Sequence, residues 1–504
     1  MKTKNSIKNS ISSIITNVIT IVIGFIAQKI FINILGSEYL GINGVFTNII
    51  SMLCLVEVGF GPAIVYNLYK PIHDNDIETI KSLLKFYKKI YTIIAIIILL
   101  FSFILIPFLP FFITDISIDI NLNLIYILFV IDTVCSYLLA YKRSVLYANQ
   151  KNYIINIIHI IYILILNIVQ ILILVYTKNY YLYLISKIII SILENIVIVL
   201  FVNKKYNYVL DKNVKSLDKN IENDIFTKVK ALIVHKIAGF VITGTDNIII
   251  SKFIGIIVVG LYSNYYLIIK ALNVLFGQAI TALTPSLGHL LVEKDYDKNY
   301  QVFKKVRFIN FWIVCITGTG LLLVMQSFIT LWLGSEYLLG ISTLLALVLN
   351  HYSQLTRNTY MTFKEAAGIY YEDRRVPIVE SITNIVASII LVKLIGLPGV
   401  FIGTFISSLV LWLYSYPKYV YKKLFNRSYK KYADETIKYF ILFIVISLIS
   451  FVISKIINPY SFIINVIITM LVPNIILFIL YRKTDEFNYY KDLFMNLTKI
   501  RKKI

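Results

Sequence analysis

Cysteine is scarce in this chain: Cys54, Cys135 and Cys315 are the only three among 504 residues. All three fall inside apolar runs, and none forms a CxxC or a Cys/His cluster, which argues against a disulfide framework or a zinc site. Acidic residues are also few, 27 against 49 Lys and Arg, for a formal net charge of +22. Long polar stretches are missing; the longest interruption, about 203–227, is too short for a soluble domain and reads as a charged linker. No HxxxD pair, GxSxG elbow or metal-ligand cluster occurs, so the sequence offers no catalytic constellation and implies no cofactor.

What the chain has in excess is apolar residues, 58% of the total, with a mean hydropathy of +0.78; a soluble domain holds about 45–50%. They lie in runs of about 20 or more, enough to cross roughly 30 Å of hydrocarbon. Helices are the expected spanning element, because each satisfies its own backbone in lipid, and the alternating segments of a transmembrane barrel are missing. The sequence predicts an all-α polytopic membrane protein of about fourteen spans, at 10–35, 41–68, 88–112, 121–147, 153–177, 180–203, 228–254, 256–284, 306–333, 338–363, 376–396, 399–422, 436–457 and 461–481. Lys and Arg cluster on alternate loops, at 2–8, 70–89, 142–151, 204–215, 294–307, 374–375, 418–431 and 501–503. The opposite loops, such as LGSEYLG and KLIGLPG, are short and poor in cations. The positive-inside rule then predicts a cell-membrane protein with both termini in the cytoplasm, and ties the charge to topology rather than to nucleic acid. The basic MKTKNSIK leads into an apolar run with no A-x-A-like cleavage site, and reads as a retained first span.

The chain also reads as one plan used twice. Gly36 and Gly41 bracket the first turn, and Gly255 and Gly260 recur 219 residues later. Y-K-K-I at 87–90 returns as F-K-K-V at 303–306, and Y-A-N-Q-K-N-Y at 147–153 faces E-A-A-G-I-Y-Y at 365–371. Nearly constant offsets predict two six-helix lobes related by a pseudo-two-fold along the membrane normal, plus a terminal helix pair. The expected divisions are an N-lobe at 1–205, a linker at 206–227, a C-lobe at 228–424, and a final pair with a basic tail at 425–504. Transporters commonly hold substrate between two such halves. The identical L-G-S-E-Y-L at 35–40 and 333–338 breaks the offset and is taken as coincidence.

An ionised side chain at the bilayer centre costs about 2.5–3.5 kcal/mol, so each one marks a cavity, a pathway or a structural pair. Lys29, Lys187, Lys270 and Arg357 are the candidate cavity cations. Lys270 stands midway along its span in a polar stripe with Ser263, Tyr266, Asn273 and Gly277. It reads as an anion-binding cation or as half of a pair with Asp246. Lys29, Arg357 and Lys187 have snorkelling to an interface as the rival reading. Glu57, Asp132, Asp246 and Glu194 are candidate coupling-ion or network residues. Asp132 is expected on one face with Ser136, Leu139 and Arg143. Glu57 precedes G-F-G-P at 59–62, where Pro62 makes a hinge or a simple kink. His235 and His351 are expected to be hydrogen-bonded, and Tyr180, Tyr181 and Tyr183 to form an interfacial belt.

KIFINILGSEYLGINGVFTNIISML (29–53) and EVGFGPAIVYNLYKP (57–71), with TDNIIISKFIG (245–255) and VGLYSNY (259–265), resemble the oligosaccharide-lipid flippases of Gram-positive capsule and exopolysaccharide clusters. That family belongs to the superfamily that also holds multidrug-and-toxin exporters and the peptidoglycan lipid flippase. The resemblance implies fourteen helices, a cationic central cavity and no enzymatic step. It implies flipping of undecaprenyl-pyrophosphate-linked oligosaccharide repeat units between leaflets by alternating access, with membrane lipids, a coupling Na+ or H+, and a polysaccharide polymerase as further partners. By resemblance, Lys29 sits where relatives carry a basic residue, often Arg, in the first helix, and Lys270 where lipid flippases carry one in the eighth. Lys lacks the bidentate fork of Arg. The alternatives are a drug/cation antiporter of the same fold, which would need acidic lobes, and a peptidoglycan lipid flippase. A membrane enzyme fits less well, since the large Arg-containing external loop of a polymerase is absent.

Overall fold

Side chains that accept backbone N–H groups mark where several helices begin. Asp76 accepts from the Thr79 amide at 3.0 Å, Asn121 from Leu124 at 3.0 Å, Asn179 from Leu182 at 3.1 Å and Asp295 from Lys298 at 3.0 Å. Each satisfies one of the orphan donors of a first helical turn. The computed structural model describes residues 2–57, 59–211, 214–293, 295–369 and 372–501, which are helices joined by short turns, with no strand among the described residues. The chain divides into two compact units, Met1–Ser263 and Asn264–Ile504.

The main helices of the first unit are α1 (Lys2–Leu35), α2 (Ser37–Leu53), α3 (Phe60–His73), α4 (Ile77–Leu105), α5 (Leu122–Ala140), α6 (Asn152–Thr177), α7 (Tyr180–Lys205), α8 (Lys219–Gly244), α9 (Asp246–Phe253) and the start of α10 (Ile256–Thr281). The second unit holds the rest of α10, then α11 (Thr284–Val292), α12 (Tyr296–Trp332), α13 (Ile341–Ala366), α14 (Val376–Ile395), α15 (Leu397–Val410), α16 (Tyr429–Ile457), α17 (Phe462–Tyr481) and α18 (Asp485–Arg501). Beyond Val410, α15 widens into π-helical turns over Leu411–Lys422, around Pro417, which has no N–H to give. The first unit is packed on aliphatic side chains such as Leu83, Val145, Leu146 and Val202. The second is packed on rings: Phe303, Tyr360, Tyr416 and Phe425 are fully buried, and Tyr360 stacks on Tyr416 at 4.2 Å.

Among the described residues, twelve helices are long and apolar enough to cross a membrane. They occupy twelve of the fourteen expected positions. The other two positions are also helical, as α8 with α9, and α13, but too polar to qualify by composition. On α13 the polar load is turned inward against α12 and α15. His351 is 1% exposed, and its ring nitrogen Nε2 lies 2.8 Å from the Thr317 hydroxyl, the hydrogen bond expected of it. The His235 side chain lies outside the described residues.

The offset seen in the sequence recurs in the backbone. Gly36 and Gly255 both have positive φ, 92° and 124°. Asp76 and Asp295, 219 apart, cap α4 and α12 in the same way. Gln150 and Gly368, 218 apart, have φ of 56° and 68° and close matching helix ends. Lys151 N–H donates to Leu146 O and Ile369 N–H to Lys364 O, both at 2.9 Å; these are the six-to-one bonds of a Schellman cap. Lys178 and Gly396, again 218 apart, are left-handed in φ at 50° and 70°.

The glycine pair at the start of α2 and α10 makes a reciprocal contact. A Cβ at Gly41 would lie 2.1 Å from the Ile256 carbonyl oxygen, and one at Gly260 would lie 1.9 Å from that of Ser37. Ser37 and Ile256 are themselves 219 apart. Only glycine permits this approach. By contrast, the two LGSEYL copies differ. Ser37 opens α2, and Glu38 accepts from Ser117 N–H (2.5 Å) and Oγ–H (2.6 Å). Ser335–Tyr337 is only a single 3-10 turn.

Three local expectations are corrected. Tyr180 is 3% exposed, not interfacial; it packs on Phe31, Tyr39 and Tyr183 and donates to Asn43 at 2.7 Å. The second expected span is not one helix: α3 begins afresh at Phe60 after Gly59 at φ 113°, and Pro62 falls in its first turn, where proline is tolerated. Finally, α5 ends at Ala140, so Arg143 leaves the face of Asp132 and starts a short helix of its own, Arg143–Ala148.

Candidate functional site

α10 has two exposed faces. Ile257, Leu275 and Ala279 make an apolar one; Tyr266 and Lys270 lie on the opposite side, in one stripe with Asn273 and Gly277. In the second unit that stripe turns toward α13. Asn273 donates to Gln354 Oε1 at 3.0 Å, and a Cβ at Gly277 would come within 3.0 Å of Asn358 Nδ2. Lys270 is exposed and, among the described residues, makes no ion pair or hydrogen bond. A buried ammonium with a carboxylate would be a structural pair; an exposed, unpaired one keeps its charge for something else.

Arg357, on the same α13 as Gln354 and Asn358, is committed differently. Its Nη1 lies 2.6 Å from Glu380 Oε1 on α14, and the Glu380 side chain is 1% exposed against 27% for Arg357. Sequence reasoning missed Glu380, although Glu380, Asn384 and Ser388 recur every fourth residue as one buried stripe of α14. It also missed Lys364, which meets Asp373 and the Ser415 hydroxyl of the π-helical turns in a wholly buried cluster. In the turn before α14, the Glu372 carboxyl is held below the usual carboxylate range by the Lys423 ammonium at 2.5 Å.

The first unit carries the remaining candidates. Lys29 is exposed and continues the line of Val18, Val22 and Ile26 along α1. Lys187 on α7 pairs with Asp132 on α5 at 3.0 Å. Glu194, on the same face of α7, forms an ion pair with Arg143 at 3.4 Å and lies 3.0 Å from His159 Nδ1 on α6. Glu57 accepts from the Tyr91 hydroxyl at 2.6 Å, in the break between α2 and α3. Asp246 is 9% exposed at the first turn of α9. Asp132, Lys187, Glu194 and Arg143 are thus brought together on neighbouring helices; Lys29 and Glu57 stand apart from that group. His159 was not singled out in the sequence, where it is one polar residue in a run of isoleucines.

Helices of this number and apolarity, with charged side chains held inside them, define a polytopic helical membrane protein. The chain belongs to the polysaccharide biosynthesis protein family, whose model matches residues 6–291. Among curated proteins no sequence matches it. In structure it is similar to the lipid II flippase MurJ in an inward closed conformation, with a TM-score of 0.69 at 16% identity over 94% of this chain and 99% of that one. It is also similar to an inward-facing multidrug resistance MATE transporter of the MOP superfamily, with a TM-score of 0.60 at 15% identity over 78% and 91% of the two chains. A third likeness is a mutant form of the MATE transporter VcmN of Vibrio cholerae, with a TM-score of 0.56 at 13% identity over 84% and 99%.

Proposed function

We propose that this protein flips undecaprenyl-pyrophosphate-linked oligosaccharide repeat units from the cytoplasmic to the outer leaflet of the cell membrane, by alternating access, for capsule or exopolysaccharide synthesis. The observation that carries the reading is Lys270, an exposed ammonium without a carboxylate partner among the described residues, on the polar face of α10 opposite that helix's apolar face. The lipid tail of such a substrate stays in the bilayer. Its pyrophosphate and sugars cannot cross hydrocarbon unaided, because their polar groups would be desolvated without partners. Lys270 replaces water around the pyrophosphate, while Asn273, Gln354 and Asn358 offer amides to sugar hydroxyls. Lys29 is a second candidate cation. Only binding and release are needed, so the protein is a transporter and not an enzyme. Both termini are cytoplasmic by the charge rule, and a polymerase on the outer side consumes the product.

The family membership supports a lipid-linked sugar over other cargo; the fold itself is shared with a lipid II flippase and with multidrug transporters alike. A drug/cation antiporter needs carboxylates available to a cation, and Asp132 and Glu194 already face Lys187, Arg143 and His159. The test is translocation of a fluorescent undecaprenyl-pyrophosphate oligosaccharide in proteoliposomes, with lipid II in a parallel arm. Lys270→Ala is expected to lose about tenfold or more, the worth of one charge-assisted hydrogen bond, and Lys270→Arg to keep most of the rate. Full activity in the alanine variant overturns the role of Lys270. Movement of lipid II alone assigns the protein to peptidoglycan precursors instead.

A further inference from the structure

The charged group on α5, α6 and α7 contains one member that an ordinary ion-pair network does not require. Lys187 with Asp132, and Arg143 with Glu194, already balance. His159 is added to the second pair, with Nδ1 3.0 Å from Glu194 Oε1, and its ring stacks on Tyr162 at 5.3 Å. Tyr162 in turn reaches Ser191 on α7 at 3.1 Å.

The position of His159 on its helix is informative. As far as Leu172, the exposed residues of α6 form a single apolar stripe, Ile157, Ile161, Leu164, Ile165, Ile168 and Leu172. His159 lies on the opposite side of the helix, between the buried Ile155, Ile163 and Leu166. The exposed stripe of α7, Ile185, Ile189, Leu193 and Ile196, likewise leaves Lys187, Ser191 and Glu194 on the far side. Yet the His159 side chain is 40% exposed, while Glu194 is 7% exposed. The imidazole is thus turned away from the apolar stripe and still accessible.

We propose that His159 and Glu194 form a proton-binding site through which a proton is coupled to the transport cycle. This rests on the flippase reading above and adds its coupling ion. Imidazole is the side chain whose charge changes near neutral pH. Its protonation converts a balanced cluster into one with a net positive charge, on a protein whose cargo is an anion. Sodium fits worse at this place. Both oxygens of Glu194 are occupied, one by His159 and one by the fixed positive charge of Arg143, which a metal cation would have to displace. The other groups facing the site are Asp132 from α5, Tyr162 from α6 itself, and Lys187, Ser191 and Asn195 from α7, with Asn195 accepting from Arg143 at 2.8 Å. From α1, polar contacts to α6 among the described residues include the neutral Asn9, Ser12 and Ser13, and Lys8 over the Tyr153 ring at 5.1 Å.

The test uses proteoliposomes with the membrane potential clamped at zero and a fluorescent undecaprenyl-pyrophosphate disaccharide as probe, over about pH 5 to 8. The unaltered protein is expected to change rate several-fold over that range and to respond to an imposed pH gradient. His159→Gln and His159→Arg, the one fixed neutral and the other fixed positive, should both give flat profiles and lose the response to the gradient, at unchanged melting temperature. A pH jump on a supported membrane, with no probe present, should displace charge in the unaltered protein and several-fold less in His159→Gln. If His159→Gln keeps the original pH profile, or the charge displacement is the same in both, the proton site is wrong. If the unaltered protein displaces charge but moves no probe under any gradient, the flippase reading fails and the proton site stands.

Discussion

A carboxylate inside a helical bundle must either be neutralised or stay wet. Glu380 is neutralised, by a guanidinium that is itself mostly buried. Removing one partner leaves the other uncompensated, which costs about 3–5 kcal/mol for a buried pair. Arg357→Ala should therefore lower the melting temperature in detergent strongly, and Arg357→Met with Glu380→Met should regain most of it. If the double variant also keeps translocation, Arg357 is structural and not a substrate contact. The contrast with Lys270 was half legible in the sequence. The polar stripe around Lys270 comes from spacing within one helix, and spacing is what a sequence displays. The partner of Arg357 lies 23 residues on, across a turn, and pairing between helices leaves no periodic trace. For the same reason Lys187 gave no sign that Asp132 was its partner, and Arg143 was misplaced because the end of α5 at Ala140 carries no glycine or proline to announce it.

At the scale of helices and turns, the repeat offers paired experiments. Gln150 and Gly368 hold the same position in matching caps, yet only one is glycine. The left-handed conformation costs a non-glycine residue roughly 1–2 kcal/mol. Gln150→Gly should raise stability by up to about that amount, and Gly368→Gln should lower it, both read by thermal melting. Asp76→Ala and Asp295→Ala should cost alike, about 1 kcal/mol each, if the caps are as equivalent as their geometry. Twelve of the helices were legible from apolar length alone. α13 was found as well, but its composition hid how it is tolerated. Many of its polar residues are buried against other helices, as His351 faces Thr317, rather than exposed to lipid.

For the molecule as a whole, both termini and the basic loops are expected on the cytoplasmic side. Cysteines placed at 116 and 178 should react with an impermeant reagent added outside intact cells, and cysteines placed at 76 and 428 should not; the reverse pattern would invert the direction of transport argued from charge. An inside-negative potential should also speed outward movement of the anionic cargo, by a driving force of about 2.3 kcal/mol per net charge per 100 mV. The fold class was open to reading because its spans repeat along the chain. Single side chains that meet across helices do not repeat, and only coordinates reveal them.

The joint between α2 and α10 joins main chain to main chain. Ser37 and Ile256 block the added carbon with their carbonyl oxygens, so the block does not depend on which side chains they carry. Gly41 and Gly260 have no such freedom. A methyl group added at either cannot be accommodated by trimming its neighbour, because the atom in the way is one that every amino acid carries. Relief can come only from moving a whole helix end, so a suppressor of Gly41→Ala should map to the turns that aim these helices and never to position 256.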